Sequence, residues 1–185
     1  MKKIVSIGLL SSVLLSTSLM ADPDLMVGLG GKYNVLDIKE MGKNNTISAL
    51  LELGFVYENT HYITLKSDFG GSGYKFGDVK LTDWDVLANY KYKWLNRTKF
   101  SPFISGGTGM VFFDSSGSKL DSGNFNTKGL LLSGALGAFY DIDRNWELEL
   151  SFNYSRNFVD FEYETGGYFV PQDKYSTSLQ MNYKW

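Results

Sequence analysis

Cysteine is absent from the 185 residues, and the chain has only three prolines and one histidine. Without cysteine, disulfides and thiolate chemistry are excluded. The 18 basic and 20 acidic residues give a net charge of −2, so the composition offers no electrostatic reason to expect a polyanionic partner such as nucleic acid. Few prolines, 20 glycines and 16% aromatic residues suit many strands better than a helical bundle, because aromatic rings pack well on pleated surfaces.

A long apolar run is also missing beyond the first 21 residues. At the N-terminus, Lys2 and Lys3 precede an apolar stretch from Ile4 to Leu15, and Ser, Thr and Ala follow up to Ala21. This tripartite order predicts a secretory signal peptide over residues 1–21, cleaved after Ala21. The exported chain, residues 22–185, is expected to be one domain, and it would have to cross a membrane with strands rather than helices.

Alternation of apolar and polar residues is the strongest pattern in the remaining chain. In "NWELELSFNYS", residues 145–155, apolar side chains alternate with Glu147, Glu149, Ser151 and other polar residues. Successive side chains on a strand point to opposite faces, so this pattern predicts a strand with one apolar face. Eight such segments follow one another, at residues 25–35, 46–57, 62–69, 79–92, 100–113, 127–140, 146–158 and 175–185.

The connections between these segments alternate in length. Segments two and three, four and five, and six and seven are joined by short links, whereas the other links are longer and rich in Gly, Ser, Asp and Asn. Consecutive connections of an up-and-down barrel lie at opposite ends, so short turns would occupy one end and long loops the other, as in outer-membrane barrels. The sequence therefore predicts an all-β fold, an eight-stranded antiparallel up-and-down transmembrane β-barrel over residues 22–185.

The position of the aromatic residues indicates which face meets lipid. Seven rings share the apolar face close to the short turns: Tyr57, Tyr90, Tyr92, Tyr140, Trp146, Tyr183 and Trp185. Aromatic side chains collect where hydrocarbon meets lipid headgroups, so these residues are predicted to form an aromatic girdle. The alternative is a soluble lipocalin-like ligand binder with the apolar face inward, but an eight-stranded barrel has little interior space for so many rings.

Several stretches resemble a known family: the N-terminal signal, the glycine-rich "PFISGGTGMVFF", the segment "GALGAFYDIDRNWELELSFNYS" and the final "YSTSLQMNYKW". Together with the eight segments they resemble the small outer-membrane β-barrels of the OmpX, OmpA membrane-domain and opacity-protein type. The resemblance covers residues 22–185 and implies an outer-membrane location. Unlike full-length OmpA, the chain is expected to have no peptidoglycan-binding domain after the barrel. In that family the last strand carries the signal read by the barrel-assembly machinery. The residues that match it are Leu179, Met181, Tyr183 and Trp185, although the commoner last residue is Phe.

If the apolar face is outside, the charged residues of the opposite face point into the barrel. Nine of them are predicted to form a mutually compensated interior network: Lys32, Glu52, Lys66, Asp83, Asp85, Lys91, Glu147, Glu149 and Lys184. Within this network Glu52 is predicted to pair with Lys66, Lys32 or both, at similar depth on adjacent strands. Glu147 with Glu149, and Asp83 with Asp85, have a separation that glycosidases use, but charge compensation is the favoured interpretation.

Catalytic, cofactor and metal sites are not predicted. An outer-membrane lipid-modifying enzyme would need a general base, and the only histidine, His61, lies at a short turn, away from the outer leaflet. Asp141, Asp143 and Asn145 have the opening spacing of a calcium loop, but Trp146 stands where that loop needs Gly. A tight turn is expected there instead.

The predicted function is a structural or surface-contact role, adhesion-like, through the long loops. A small porin-like channel is the alternative, although eight strands leave little open lumen. Exposed aromatic residues often anchor interfaces, so Tyr163, Tyr168 and Phe169 are candidate loop contacts, unless they extend the strands beyond the membrane. The expected partners of the monomer are outer-membrane lipid, lipopolysaccharide, the barrel-assembly machinery and an unidentified host or cell-surface ligand.

Overall fold

The computed structural model describes residues 22–38, 42–70, 74–76, 79–116, 125–161 and 168–185. The predicted signal peptide and Tyr163 lie outside the described residues. The described strands are β1 Asp24–Ile38, β2 Gly42–Tyr57, β3 His61–Gly70, β4 Tyr74–Phe76, β5 Val79–Lys93, β6 Phe100–Ser116, β7 Phe125–Asp141, β8 Trp146–Phe161 and β9 Tyr168–Lys184. Among the described residues, no helix has the length and apolar character needed to span a membrane.

Eight of these strands close into one antiparallel barrel. Each strand pairs with the next along the chain, except that β3 pairs with β5, and closure comes from the pairing of β1 with β9. The three-residue β4 pairs with β5 beyond the end of β3. The predicted all-β, eight-stranded, up-and-down barrel is therefore confirmed.

The strands extend further toward the long loops than the alternating pattern predicted. β9 begins at Tyr168 rather than at residue 175, and β8 continues to Phe161. These extensions pair with each other, Phe161 opposite Tyr168 and Asp160 opposite Phe169. Hairpin hydrogen bonding does not require an apolar face, so a strand can continue beyond the residues that alternate between apolar and polar. Tyr168 and Phe169, predicted as loop contacts or strand extensions, are placed in β9.

Polar residues fill the interior and apolar residues cover the outside. On β8, Glu147, Glu149 and Ser151 are buried, whereas Leu150 is 45% exposed. The outward set includes the predicted apolar faces of β2, β5 and β9, from Ile47 to Tyr57, from Trp84 to Tyr92, and from Leu179 to Trp185. A water-soluble barrel has the reverse arrangement, because its apolar face forms the core.

Two of the short turns at one end of the barrel are closed by hydrogen bonds. Between β2 and β3, Glu58 and Asn59 have φ of 52° and 57°, and Thr60 N donates to Tyr57 O at 3.0 Å. Positive φ at both central residues defines a type I′ turn, whose twist matches the flanking strands. Between β7 and β8, Asp143 Oδ1 accepts from the backbone nitrogens of Asn145 and Trp146 at 2.8 and 2.9 Å. The calcium-like spacing of Asp141, Asp143 and Asn145 thus belongs to a tight turn.

Candidate functional site

Interior ion pairs are grouped by depth, and the first group lies near the short turns. Glu147 accepts from Lys93 Nζ at 2.6 Å, from Lys184 Nζ at 2.7 Å and from the Tyr62 hydroxyl. Lys93 also donates to Asp141 at 2.7 Å. One buried carboxylate between two ammonium groups is compensated, which is the condition under which buried charge is tolerated.

Lys91 occupies the centre of the second group. Its Nζ donates to Glu52 Oε2 at 2.8 Å and to Glu149 Oε2 at 2.5 Å, and all three side chains are almost fully buried. Gln180 Nε2 donates to Glu52 at 2.8 Å, and the Thr64 hydroxyl donates to its other oxygen. The predicted pairing of Glu52 with Lys66 or Lys32 is therefore wrong about the direct partner. A lysine two strands away reaches Glu52 because the interior of an eight-stranded barrel is only wide enough for side chains to fill.

The third group lies toward the long loops. Lys174 Nζ lies 2.5 Å from Asp83 Oδ2, 2.8 Å from Asp85 Oδ2 and 3.4 Å from Asp68 Oδ2. Lys32 donates to the same Asp68 at 2.6 Å, so two ammonium groups form ion pairs with three carboxylates.

Lys66 lies between the second and third groups. Its Cα is opposite Glu52 in the β2–β3 register, yet its ammonium makes no ion pair or hydrogen bond with any described residue. It lines a cavity of about 20 Å³ together with Ser105, Ser133 and Ser155. Such a space holds about one water molecule. Asp68 and Asp85 also line this cavity, but neither carboxylate forms an ion pair with Lys66.

An apolar plug closes the interior near the short turns. It consists of Met26, Val56, Tyr62, Phe103 and Phe139. Tyr62 stacks on Phe139 with ring centroids 5.1 Å apart, and the Phe103 ring lies 4.8 Å from Phe139. Lys93 Nζ lies 5.0 Å from the centre of the Phe139 ring, so the first ion group and the plug fill the same cross-section of the barrel. These buried side chains therefore occupy the interior at the level of the first ion group.

All nine residues predicted for the interior network are placed in the interior and buried. Sequence reasoning missed three members: Asp68, Lys93 and Lys174. Each has the parity of a predicted inward residue: Asp68 follows Lys66, Lys93 follows Lys91, and Lys174 precedes Ser176 by two positions. Lys93 and Lys174 fell just outside the predicted segments, because one segment was ended one residue too early and the other was started too late. With these three, the interior holds six lysines and six acids among the residues whose burial is described.

The seven predicted girdle residues all lie on the outer face at the short-turn end. Trp146 and Tyr183 face each other across β8 and β9 with ring centroids 4.7 Å apart, and Tyr183 stacks on Trp185 at 5.8 Å. Tyr140 packs against Phe100 at 4.9 Å. Cross-strand aromatic pairs of this kind also stabilise the sheet. We call this group the short-turn belt.

A second aromatic belt, not predicted from the sequence, encircles the long-loop end. Trp84 stacks between Phe69 and Phe112, with centroid distances of 5.9 and 5.3 Å, and Tyr154 packs on Tyr175 at 5.4 Å. On β5, β8 and β9 the two belts are eight residues apart, at Trp84 and Tyr92, Tyr154 and Trp146, and Tyr175 and Tyr183. The signal was present in the sequence as this repeated spacing. We call this group the long-loop belt.

The distance between the belts corresponds to the hydrocarbon layer of an outer membrane. Eight residues span about 27 Å along a strand, which becomes about 20 Å along the barrel axis at the usual tilt. Outer-membrane barrels carry an apolar band about 25 Å tall between two aromatic girdles. Beyond the long-loop belt the outer face becomes charged, with the pairs Lys43–Asp37 at 3.5 Å and Arg156–Asp173 at 4.0 Å.

The residues considered for catalysis are engaged in other contacts. His61 lies on the outer face, and its Nδ1 is 2.7 Å from the Tyr90 hydroxyl. Glu147, Glu149, Asp83 and Asp85 each contact a lysine. Within the described ranges, no group of three or more His, Cys, Asp or Glu side chains is arranged to hold a metal ion.

The predicted assembly signal forms an outward-facing row at the end of β9. Leu179, Met181 and Trp185 are exposed by 53%, 40% and 56%, and Tyr183 lies between them in the short-turn belt. Trp185 N and O both bond to Leu25 at 3.1 Å, so this strand end is paired with β1 where the barrel closes.

Solved structures share this architecture. Neisserial surface protein A matches with a TM-score of 0.67 and 13% identity, over 84% of this chain and 95% of that one. The attachment invasion locus protein Ail of Yersinia pestis matches with 0.58 and 11%, over 89% and 100%. A major outer membrane protein of Thermus thermophilus matches with 0.54 and 14%, over 89% and 100%. No family model and no curated protein matches the sequence. The chain therefore has the fold of the small outer-membrane barrels that it resembles.

Proposed function

We propose that this protein is an integral outer-membrane β-barrel with a structural or adhesion-like surface role through its long loops. The observation that carries the proposal is the outer face, where apolar side chains lie between two aromatic belts at membrane spacing. Hydrocarbon is the solvent that such a face requires, since large exposed apolar surfaces are otherwise rare. In this orientation the short turns are periplasmic and the long loops extracellular.

Lipopolysaccharide is the proposed lipid contact at the extracellular end. Lys43 and Arg156 are exposed beyond the long-loop belt, and the exposed Lys128 lies opposite Phe112 of that belt. Basic side chains at that level can bind the phosphate groups of an outer-leaflet glycolipid. A surface ligand for the loops remains part of the same proposal, supported at the level of fold by likeness to a protein described as an attachment invasion locus protein.

Transport through the lumen is the weaker candidate. In the described part of the chain, six lysines, six acids and the apolar plug occupy the interior. The protein is therefore proposed to be non-enzymatic and non-conducting. In planar bilayers, refolded protein is expected to show no sustained current, whereas stable conductance steps would favour a channel.

Location and surface role are tested separately. The protein from outer-membrane fractions is expected to migrate faster on gels before boiling than after, as folded barrels do. Cells producing a variant in which residues 117–124 are replaced by a short Gly-Asn linker are expected to adhere less, with the heat shift retained. Unchanged adhesion, both in this variant and when each other long loop is replaced in the same way, would leave only the structural role.

Replacement of Trp185 by Ser is expected to lower folded yield if the last strand is read by the assembly machinery.

A further inference from the structure

The two short turns between β5 and β6 and between β7 and β8 form one surface. Asp141 N donates to Lys99 O at 2.8 Å, and Lys99 Nζ lies 3.4 Å from Ile142 O, so the turns are directly joined. Three cations lie on this surface: Arg97, Lys99 and Arg144. We call it the basic turn surface.

The cations of this surface are not neutralised by neighbouring acids. Arg97 and Arg144 are exposed and form no ion pair or hydrogen bond with any residue in the described ranges. Asp141 pairs with Lys93 at 2.7 Å, and Asp143 keeps its charge while it accepts from two backbone nitrogens, so the three cations outnumber the one acid without an ion pair on these turns. The rest of the short-turn end is acidic by contrast, with Asp22, Asp24 and Glu58. Positive charge is therefore concentrated on one side of the rim.

Apolar side chains lie beside these cations on the same turns. Trp94, Leu95, Phe100 and Ile142 are exposed by 45%, 56%, 60% and 40%. They continue the short-turn belt outward, since Trp94 packs edge-on against Tyr92 at 5.1 Å and Phe100 packs on Tyr140. Exposed apolar groups next to unpaired cations suit an amphiphile with an anionic head and acyl chains.

The turn backbone holds this surface in one conformation. Asn96 Oδ1 accepts from Thr98 N at 2.9 Å and from the Thr98 hydroxyl at 2.8 Å, and Phe100 N donates to Thr98 Oγ1 at 3.2 Å. Ile142 N donates to Trp146 O at 3.0 Å. Little ordering of the turn backbone is then required on binding, which favours affinity.

From these observations we infer that the basic turn surface binds the headgroup of an anionic phospholipid in the periplasmic leaflet. This inference rests on the proposed orientation of the barrel. Arg97, Lys99 and Arg144 contact the phosphate, and the acyl chains pack along Phe100 and Ile142 toward the belt. Lipid is preferred over a soluble anion because the apolar side chains would otherwise face water.

Trp94 provides a local reporter, because it lies within the surface. A variant with Trp84→Phe, Trp146→Phe and Trp185→Phe leaves Trp94 as the sole tryptophan among the four. It is refolded into phosphatidylcholine vesicles that contain a minor fraction of acyl-brominated phosphatidylglycerol or acyl-brominated phosphatidylcholine. Brominated phosphatidylglycerol is expected to quench Trp94 more strongly than brominated phosphatidylcholine does. Each basic residue near an anionic headgroup strengthens binding by less than about tenfold, so the three together are expected to give phosphatidylglycerol an affinity at least about tenfold higher than that of phosphatidylcholine.

Two sets of variants identify the cause. Arg97→Gln, Lys99→Gln and Arg144→Gln together are expected to abolish the excess quenching, and Arg97→Lys, Lys99→Arg and Arg144→Lys together are expected to retain it. A protein with Trp84 alone, at the opposite belt, serves as the positional control and is not expected to respond to either set. The gel shift verifies folding of every variant.

The outcomes separate this inference from the proposed function. Equal quenching of Trp94 by both lipids would overturn the phospholipid site while leaving the membrane barrel intact. Lack of quenching of both Trp84 and Trp94 by either lipid would overturn both. Equal quenching accompanied by charge-dependent retention on purified peptidoglycan would assign the surface to a glycan polymer and also overturn the inference.

Discussion

Lys91 and Lys66 show how differently two buried lysines contribute at the scale of single residues. Both are less than one-tenth exposed, but Lys91 contacts two carboxylates and Lys66 contacts none within the described chain. The stabilising effect of a buried charge depends on whether its partners would be left uncompensated. The position of a lysine on an inward face therefore does not determine how much it contributes to the free energy of unfolding.

Replacement of Lys91 by Met is expected to destabilise the barrel by about 3 to 5 kcal/mol, because Glu52 and Glu149 lose their ammonium partner. The matched control Lys66→Met is expected to destabilise the barrel less than Lys91→Met does, because no direct ion pair is lost. Urea titration of protein refolded in detergent or vesicles, followed by gel shift, measures both. Equal losses for the two variants would contradict the assignment of partners.

Glu58 is a second informative residue, because it adopts a left-handed conformation, φ 52°, at the first central position of a type I′ turn. Asn or Gly is favoured there, since other residues with a Cβ are strained in this region. Glu58→Asn is expected to stabilise the protein by about 0.5 to 1 kcal/mol. The exposed Glu58 has no contact in the described structure that this change would remove.

Asn59 is left unchanged in that experiment because its Oδ1 accepts from Lys184 Nζ at 3.0 Å. Glu58→Ala is the control, since it removes the charge but keeps the strain. If Glu58→Ala stabilised the protein as much as Glu58→Asn, charge rather than backbone conformation would explain the gain.

At the scale of elements, β7 carries small residues inward so that its neighbours can place rings there. Gly137 lies opposite Phe103 in the β6–β7 register, and a Cβ at Gly137 would meet Phe103 Cε1 at 2.5 Å and also the Leu150 carbonyl oxygen. On the outer face of the same strand, a Cβ at Gly134 would meet only the Ser105 oxygen, at 3.8 Å. The two glycines therefore serve different purposes.

Gly137→Ala is expected to destabilise the barrel by about 1 to 3 kcal/mol, because the plug cannot accommodate an extra methyl group without shifting Phe103. Gly134→Ala is expected to be neutral within about 0.5 kcal/mol, since its methyl group faces open space on the outer face. Thermal loss of the fast-migrating gel band compares the two variants. A destabilising Gly134→Ala would show that β7 needs glycine for its backbone rather than for space.

At the scale of the whole molecule, the decisive property is that the apolar surface is outside and the charged surface is inside. Leu150 lies on β8 midway between Trp146 and Tyr154, the residues of the two belts on that strand. Asn45 lies on the outer face of β2, two residues from the exposed Lys43. These positions differ in predicted membrane depth although both are exposed.

Leu150→Arg is expected to cost about 2 to 4 kcal/mol in bilayers, whereas Asn45→Arg is expected to cost about 0 to 1 kcal/mol. The difference arises from hydrocarbon at one site and headgroups or water at the other. Refolding yield and urea stability in phosphatidylcholine vesicles measure it. In a water-soluble protein both substitutions would be nearly neutral. Nearly equal stability of the two variants would therefore remove the basis for the proposed function.

Much of this architecture could be predicted because period-two alternation directly reports which side chains share a face. The eight segments, the alternation of short and long connections and the outward position of residues such as Trp146 and Leu179 all depend on local order along the chain. The predicted strands were too short at the long-loop end, because hydrogen-bonded hairpins continue where the polarity pattern fades. Asp68 was omitted although its parity with Lys66 was visible.

The sequence alone determined that the chain forms a barrel with one apolar face, and it placed nine charged residues on the other face. Only the tertiary structure decided that Glu52 pairs with Lys91, that Lys66 lacks a direct partner among the described residues, and that Arg97, Lys99 and Arg144 lie on one rim. The physical reason is that the face of a side chain follows from its position along one strand. Contacts across the lumen and between turns depend on how all eight strands curve and close, which no local pattern specifies.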